Sequence, residues 1–187
     1  MLSLKDDLND SLNRINFVYQ NQEIQTECIR DFKGISILSK KLGSFKKGNQ
    51  YRIKLFNAIP LIEHGILKIA AIEKCDNVDV QRYAISERDD RRLKELESKF
   101  FLNKVKEFKY FMEKNVRENN KPKATLDKFN SYMSNLIDSR LLKLLRLAQT
   151  ELTIADEKKL TNSEEVFFKH ISEIINTWRV FFLDTRK

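Results

Sequence analysis

The sequence predicts an α+β protein: a small N-terminal β-containing domain followed by a mostly α-helical bundle domain. Three observations predict it. All four glycines of the 187-residue chain, Gly34, Gly43, Gly48 and Gly65, fall in one short region. That region also carries the short β-rich runs. Beyond it, apolar residues recur at spacings of three and four over long stretches, the pattern of amphipathic helices. These signals divide the chain into a small domain with an N-terminal helix over 1–75, a linker over 76–85 and a helical domain over 86–187.

Leu4, Leu8, Leu12 and Ile15 recur at helical spacing and predict the first helix. Gln22 to Ile29 reads as a strand with Ile24, Thr26 and Cys28 on one face. Ile35-Ser36-Ile37-Leu38 is a second short apolar run, Tyr51 to Leu55 alternates with period two, and Ile66 to Ile69 is β-rich after Gly65. Turns are expected at Gly34 and across Gly43–Gly48, where glycine allows positive φ. The stretch from Asp76 to Ser86 reads as the linker. Ser86 with Asp89 resembles an N-cap with an acid at its third position. It opens a helix that carries Leu93, Leu96, Phe100, Phe101, Val105, Phe108, Phe111 and Met112. Asn119-Asn120-Lys121-Pro122 breaks that helix. The next carries Leu126, Phe129, Met133, Leu136, Ile137, Leu141, Leu144, Leu145 and Ala148. Thr161-x-x-Glu164 is a capping box that announces the last helix, with Phe167, Ile171, Ile174, Trp178, Phe181 and Phe182 on its main stripe. Val166, Phe168, Ile175 and Val180 lie off that stripe. A helix apolar on more than one face is buried on more than one side, by a broad internal core or by another subunit.

Composition narrows the function. Thirty-five Lys+Arg against 27 Asp+Glu give a net charge of +8, and 13 Phe argue against a disordered chain. No apolar run approaches the roughly 18–20 residues that span a bilayer. Acidic residues stand where a secretory leader has a basic head, so an intracellular, cytoplasmic protein is expected. Cys28 and Cys75 form no metal or redox motif and read as small buried hydrophobes. His64 and His170 are isolated from any ligand cluster. The chain has no Gly-x-x-x-x-Gly-Lys phosphate cradle, no Gly-x-Gly-x-x-Gly fingerprint and no Gly-x-Ser-x-Gly elbow. With no nucleophile, metal set or phosphate cradle, the expectation is a binding or scaffold protein rather than an enzyme, with no cofactor.

The charge is uneven. Residues 32–62 hold seven basic residues (Lys33, Lys40, Lys41, Lys46, Lys47, Arg52 and Lys54) and no acid, whereas residues 1–31 carry a net −3. Such a block contacts nucleic-acid phosphate or an acidic partner, or is a solvated lysine-rich loop. Phe45 and Tyr51 lie inside it, either to stack on bases or as anchors of the small core. The Arg88, Arg91, Arg92, Lys94 cluster reads as a helix surface paired with its acidic neighbours.

The segment Leu42-Gly43-Ser44-Phe45-Lys46-Lys47-Gly48, followed by Tyr51 to Leu61, resembles GINS subunits of the Psf-two kind. Their pattern is a Gly-Pro-Phe turn, a second Gly, a strand, then Pro-Leu-Trp-Leu-Ala and a short helix. Gly43, Phe45, Gly48, Leu55, Ala58 and Leu61 fit it, while Ser44, Lys54 and Phe56 replace Pro, Pro and Trp. Ile137-Asp138-Ser139-Arg140-Leu141-Leu142-Lys143-Leu144 is similar to the family's Asp-Thr-Arg-x-x-Lys-Leu segment. Lys159-Leu160-Thr161-Asn162-Ser163-Glu164 is similar to the start of its last helix. The likeness spans about residues 17–182, with the β domain first.

The resemblance implies a non-catalytic, chromosome-associated scaffold of the replicative MCM helicase in DNA replication. The compact length and short loops resemble the archaeal type that stands for the second and third Psf subunits. The implied partners are a paralogous GINS subunit of reversed domain order, in a 2:2 heterotetramer, the MCM helicase and a RecJ-like protein. On this reading Phe168, Ile175, Trp178, Phe181 and Phe182 contribute to subunit contact. Arg140, on or beside an apolar stripe, is a paired guanidinium whose carboxylate lies on another helix or subunit. Lys40, Lys41, Lys46, Lys47, Arg52 and Lys54 are the candidate contacts to a partner or to nucleic acid. The competing reading is a stand-alone DNA-binding protein that uses the basic block 33–54.

Overall fold

The computed structural model describes residues 4–37, 40–150 and 152–183. The chain forms two units, Asn16–Lys74, and Met1–Ile15 together with Cys75–Lys187. The expected division into 1–75, a linker and 86–187 is therefore adjusted at both ends. Helix α1 (Leu4–Gln20) crosses the first boundary, so its first part belongs with the helical unit.

The small unit is built from β1 (Glu23–Cys28), β2 (Ile35–Ile37), β3 (Lys40–Leu42), β4 (Gln50–Lys54), α2 (Leu55–Glu63) and β5 (Leu67–Ile69). Strand β1 is the centre of an antiparallel sheet in the order β4-β1-β5, with Ile24 opposite Ile53 and Cys28 opposite Leu67. Its alternation puts Ile24, Thr26 and Cys28 inside, as the sequence predicts. Thr26 satisfies its buried hydroxyl by donating to the Tyr51 carbonyl at 2.9 Å. Strands β2 and β3 form a separate two-stranded ribbon, and Leu38 of the expected second strand lies outside the described residues. The expected strand to Leu55 ends one residue earlier, where α2 begins and buries Leu55, Ala58 and Leu61. Phe45 anchors this core, 3% exposed and edge-on to Tyr51 at 4.9 Å. Gly43, at φ +81°, makes that anchor possible, because a Cβ there would lie 2.5 Å from the Phe45 ring.

The helical unit contains α3 (Asn77–Asp89), α4 (Phe101–Arg117), α5 (Lys123–Leu147), the short α6 (Ile154–Glu157) and α7 (Asn162–Leu183). Helix α3 replaces the expected linker. Asp76 caps it, accepting from the Val78 and Asp79 amides, while Asp79 accepts from the Asp76 amide. Ser86, read as an N-cap, lies inside this helix, and Val80 and Ala84 join Phe101, Val105, Phe129 and Leu136 in one apolar cluster. The helix expected to carry Leu93 and Leu96 starts only at Phe101. Leu93 and Leu96 are both buried, but in two different clusters, which one helical face would not reach. Asn119, at φ +57°, and Pro122 separate α4 from α5, as the breaker predicts. Cys28 and Cys75 are free and buried, and burial pushes the Cys75 thiol up to about 12. No described helix is long and apolar enough to cross a membrane.

Candidate functional site

Helix α5 carries two cations on the face that packs inward, Arg140 and Lys143, 1% and 7% exposed. They meet Glu87 of α3 and Glu164 of α7, both buried. Arg140 uses all five of its donors inside the chain. Its Nη1 donates to Glu87 at 2.8 Å and to the Lys94 carbonyl at 2.9 Å. Its Nη2 donates to Glu164 at 2.8 Å and to the Lys159 carbonyl at 3.0 Å, and its Nε pairs with Glu164. Lys143 donates to the Glu87 carboxylate, the Glu87 carbonyl and, at 3.0 Å, the Arg92 carbonyl. Two buried cations thus face two buried anions. Burial pulls the Arg140 pKa down, but the bonds and charge of Glu164 and Glu87 outweigh it and leave it raised.

This network explains the irregular chain at 90–100. A continued helix would occupy the Arg92 and Lys94 carbonyls in its own ladder; the open chain leaves them to accept from the buried cations. It also enlists the capping box of α7. Glu164 accepts from the Thr161 amide and hydroxyl, both at 2.9 Å, with the oxygen that also meets Arg140. The carboxylate expected opposite Arg140 is therefore present, on two helices of the same chain. Arg140 as a subunit-contact residue is corrected, since it reaches no surface and has no donor left.

Along α7 the five aromatic and aliphatic contact candidates separate. Phe168 and Ile175 are half-buried against the cluster of Leu93, Leu144, Ala148, Leu160 and Ile171, so they belong to the chain's own core. Trp178, Phe181 and Phe182 are 65%, 76% and 65% exposed. At 100° per residue they continue the stripe that Ile171 buries, but past Ile175 every described residue of the helix is exposed. Trp178 and Phe182 lie with ring centroids 5.1 Å apart, and Phe181 and Phe182 5.0 Å apart. With Val180 and Leu183, five of the last six described residues are exposed and apolar. Among the described residues none covers these rings, although Arg179 beside them donates to the Gln149 carbonyl at 3.1 Å.

The basic block is not one surface. Arg52 and Lys54 lie on the solvent face of β4 beside the acidic residues of β1, and Arg52 pairs with Glu23 at 3.3 Å. Lys54 donates to Asn21 at 3.4 Å. Lys46 and Lys47 are exposed in the turn before β4, where the Lys46 amide donates to the Tyr51 hydroxyl and the Lys47 amide to Asp31. Lys40 and Lys41 lie in β3, and their side chains are outside the described part. Phe45 is buried and Tyr51 half-buried, so the block offers neither ring as a free stacking face.

Sequence reading missed Glu87 as the hub of the network, because it assigned 76–85 to a linker. The signal was Asp76-x-x-Asp79 followed by Val80, Ala84 and Glu87 on one stripe. Among the described residues no group of three or more His, Cys, Asp or Glu is placed to hold a metal ion. Comparison of the chain with protein-family models and with curated protein sequences finds no match.

Proposed function

We propose that this chain is a non-catalytic GINS-type subunit of the kind that stands for the second and third Psf subunits. It scaffolds the replicative MCM helicase in chromosomal DNA replication. It does so by assembling with a paralogous subunit of reversed domain order into a 2:2 heterotetramer, which a RecJ-like partner joins. The observation that carries this reading is the exposed aromatic end of α7. Trp and Phe are the side chains that anchor protein interfaces, and a stripe that outruns its own core by about 12 Å of helix asks for a second surface.

Two further features support it. The two helical segments that resemble the family, Arg140-x-x-Lys143 and Thr161-x-x-Glu164, meet in one buried network. The Gly43-x-Phe45-x-x-Gly48 segment forms a turn around a buried anchor and leads into the strand and short helix that the resemblance implies. The competing reading, direct DNA binding by the block 33–54, has less support, since Arg52 is paired and Phe45 is buried.

The test is recovery of the tagged chain from its own cells, with the mass of the eluted complex. A second small α/β chain in equal amount, at the mass of a 2:2 assembly and with MCM in smaller quantity, is the expected result. The double variant Trp178→Ala, Phe181→Ala should stay folded and lose that partner, with affinity weaker by roughly a hundredfold or more. Recovery of the chain alone, or full retention of the partner by the variant, overturns the proposal. The chain's only tryptophan reports the same event without a variant. Its fluorescence should be open to aqueous quenchers in the free chain and shielded in the complex.

A further inference from the structure

A groove of about 370 Å³ opens on the small unit. It is lined by Ile35 and Leu42 of the β2–β3 ribbon, Phe56, Ile59 and Pro60 of α2, and two amides, Gln20 and Asn57. Phe56 is 58% exposed, although it stands beside the buried Leu55 and Ala58. No acidic residue lines the groove, and none occurs anywhere in residues 32–62. The elements that form it are flanked by lysines instead. Lys33 stands two residues before Ile35, Lys41 immediately before Leu42, and Lys54 two residues before Phe56.

The acids of the same unit are already engaged. Glu23 pairs with Arg52, Glu27 with Lys68, Asp31 accepts from the Lys47 amide and Glu73 from the Gln25 amide. Among the described residues, Lys33, Lys46, Lys47 and Lys54 have no carboxylate partner. We propose that this groove binds a short acidic peptide segment of a protein partner, with one or two large apolar side chains seated against Phe56, Ile59 and Leu42 and its carboxylates facing the surrounding lysines. An apolar trough in a lysine-rich stretch that holds no acid fits that chemistry better than a nucleic acid. Bases would find one aromatic face here, Phe56, and no second ring to stack on. The inference is independent of the assembly surface on α7, which lies in the other unit.

The experiment is selection of a random displayed peptide library, about a dozen residues long, on the immobilised full chain, followed by polarisation titrations with the enriched peptides. Peptides with net negative charge and paired large apolar residues should enrich, and raised salt should weaken them. Phe56→Ala should weaken binding by roughly tenfold. The pair Lys33→Glu, Lys54→Glu should weaken it by a comparable factor, and Leu142→Ala, an exposed change on α5, should leave it unaltered. Each variant is exposed in the wild-type fold, and circular dichroism checks that it stays folded. No enrichment, enrichment of neutral or basic peptides, or indifference to Phe56→Ala overturns the proposal. An oligo-dT strand that binds in a Phe56-dependent manner and displaces the peptide assigns the groove to nucleic acid and overturns it as well.

Discussion

Two regions of this molecule are rich in charge and use it in opposite ways. In the helical unit, Arg140, Lys143, Glu87 and Glu164 are buried, balanced two against two and bonded to each other and to main-chain carbonyls. In residues 32–62 of the small unit seven cations stand without an acid in the same stretch. Of those whose side chains are described, Arg52 alone has a carboxylate partner. The difference is one of solvent. A buried charge costs several kcal/mol to desolvate, so it persists only where geometry supplies its counter-charge and remaining hydrogen bonds. An exposed lysine meets no such demand and stays available. The first region therefore fixes how α3, α5 and α7 pack, and the second is open to a partner.

The comparison breaks most visibly at Glu87. Glu87→Ala leaves the Lys143 ammonium and one edge of the Arg140 guanidinium buried without their carboxylate. Removing one partner of a buried ion pair costs about 3–5 kcal/mol, a large part of the roughly 5–15 kcal/mol that holds a domain folded. Urea denaturation should show that loss, with Glu87→Gln losing less because it keeps an acceptor. A loss within about 1 kcal/mol, the range of an exposed pair, would mean that water reaches the network.

An intermediate case sharpens the contrast. His170 of α7 is hydrogen-bonded at both ring nitrogens, Nδ1 to the Val166 carbonyl at 2.9 Å and Nε2 to Asp7 of α1 at 3.1 Å. Both partners are acceptors, so only the doubly protonated imidazolium donates to both. The Val166 carbonyl first, and Asp7 after it, hold the His170 pKa above its ordinary 6.5. A pKa raised on folding adds stability that is complete below the unfolded value and is lost as pH rises through the folded one. The contact between α1 and α7 should therefore loosen as pH rises above about 6.5. Imidazole NMR should give His170 a midpoint above that value, and Asp7→Asn should lower it; a midpoint at or below 6.5 contradicts the geometry.

What the sequence shows and what it hides follow the same division. The inward face of β1, the breaker at Asn119–Pro122 and the capping box at Thr161 are local, and each is legible from neighbouring residues. Arg140 was legible as a paired cation because a guanidinium on an apolar stripe has no cheap alternative. Its partners were not, since Glu87 and Glu164 are 53 and 24 residues away in sequence. The break after α3 was hidden for the same reason. Its carbonyls are needed by side chains that a window over 86–112 does not contain. The exposure of Trp178 on the main stripe against the half-burial of Phe168 off it was equally non-local: the helical pattern ranks them the other way, and the end of the core decides.

The smallest expected effect lies at the ion pair of Arg52 in the basic stretch. Arg52 and Glu23 sit on the solvent face of the sheet at 3.3 Å, with side chains 76% and 56% exposed. Water screens both charges, and two long side chains lose freedom to meet. Arg52→Ala should therefore change unfolding stability by less than about 0.5 kcal/mol, within the range of exposed pairs. A cost of several kcal/mol would show that this face is shielded in the protein as it exists. The lysines beside it would then be held by a covering surface rather than left free.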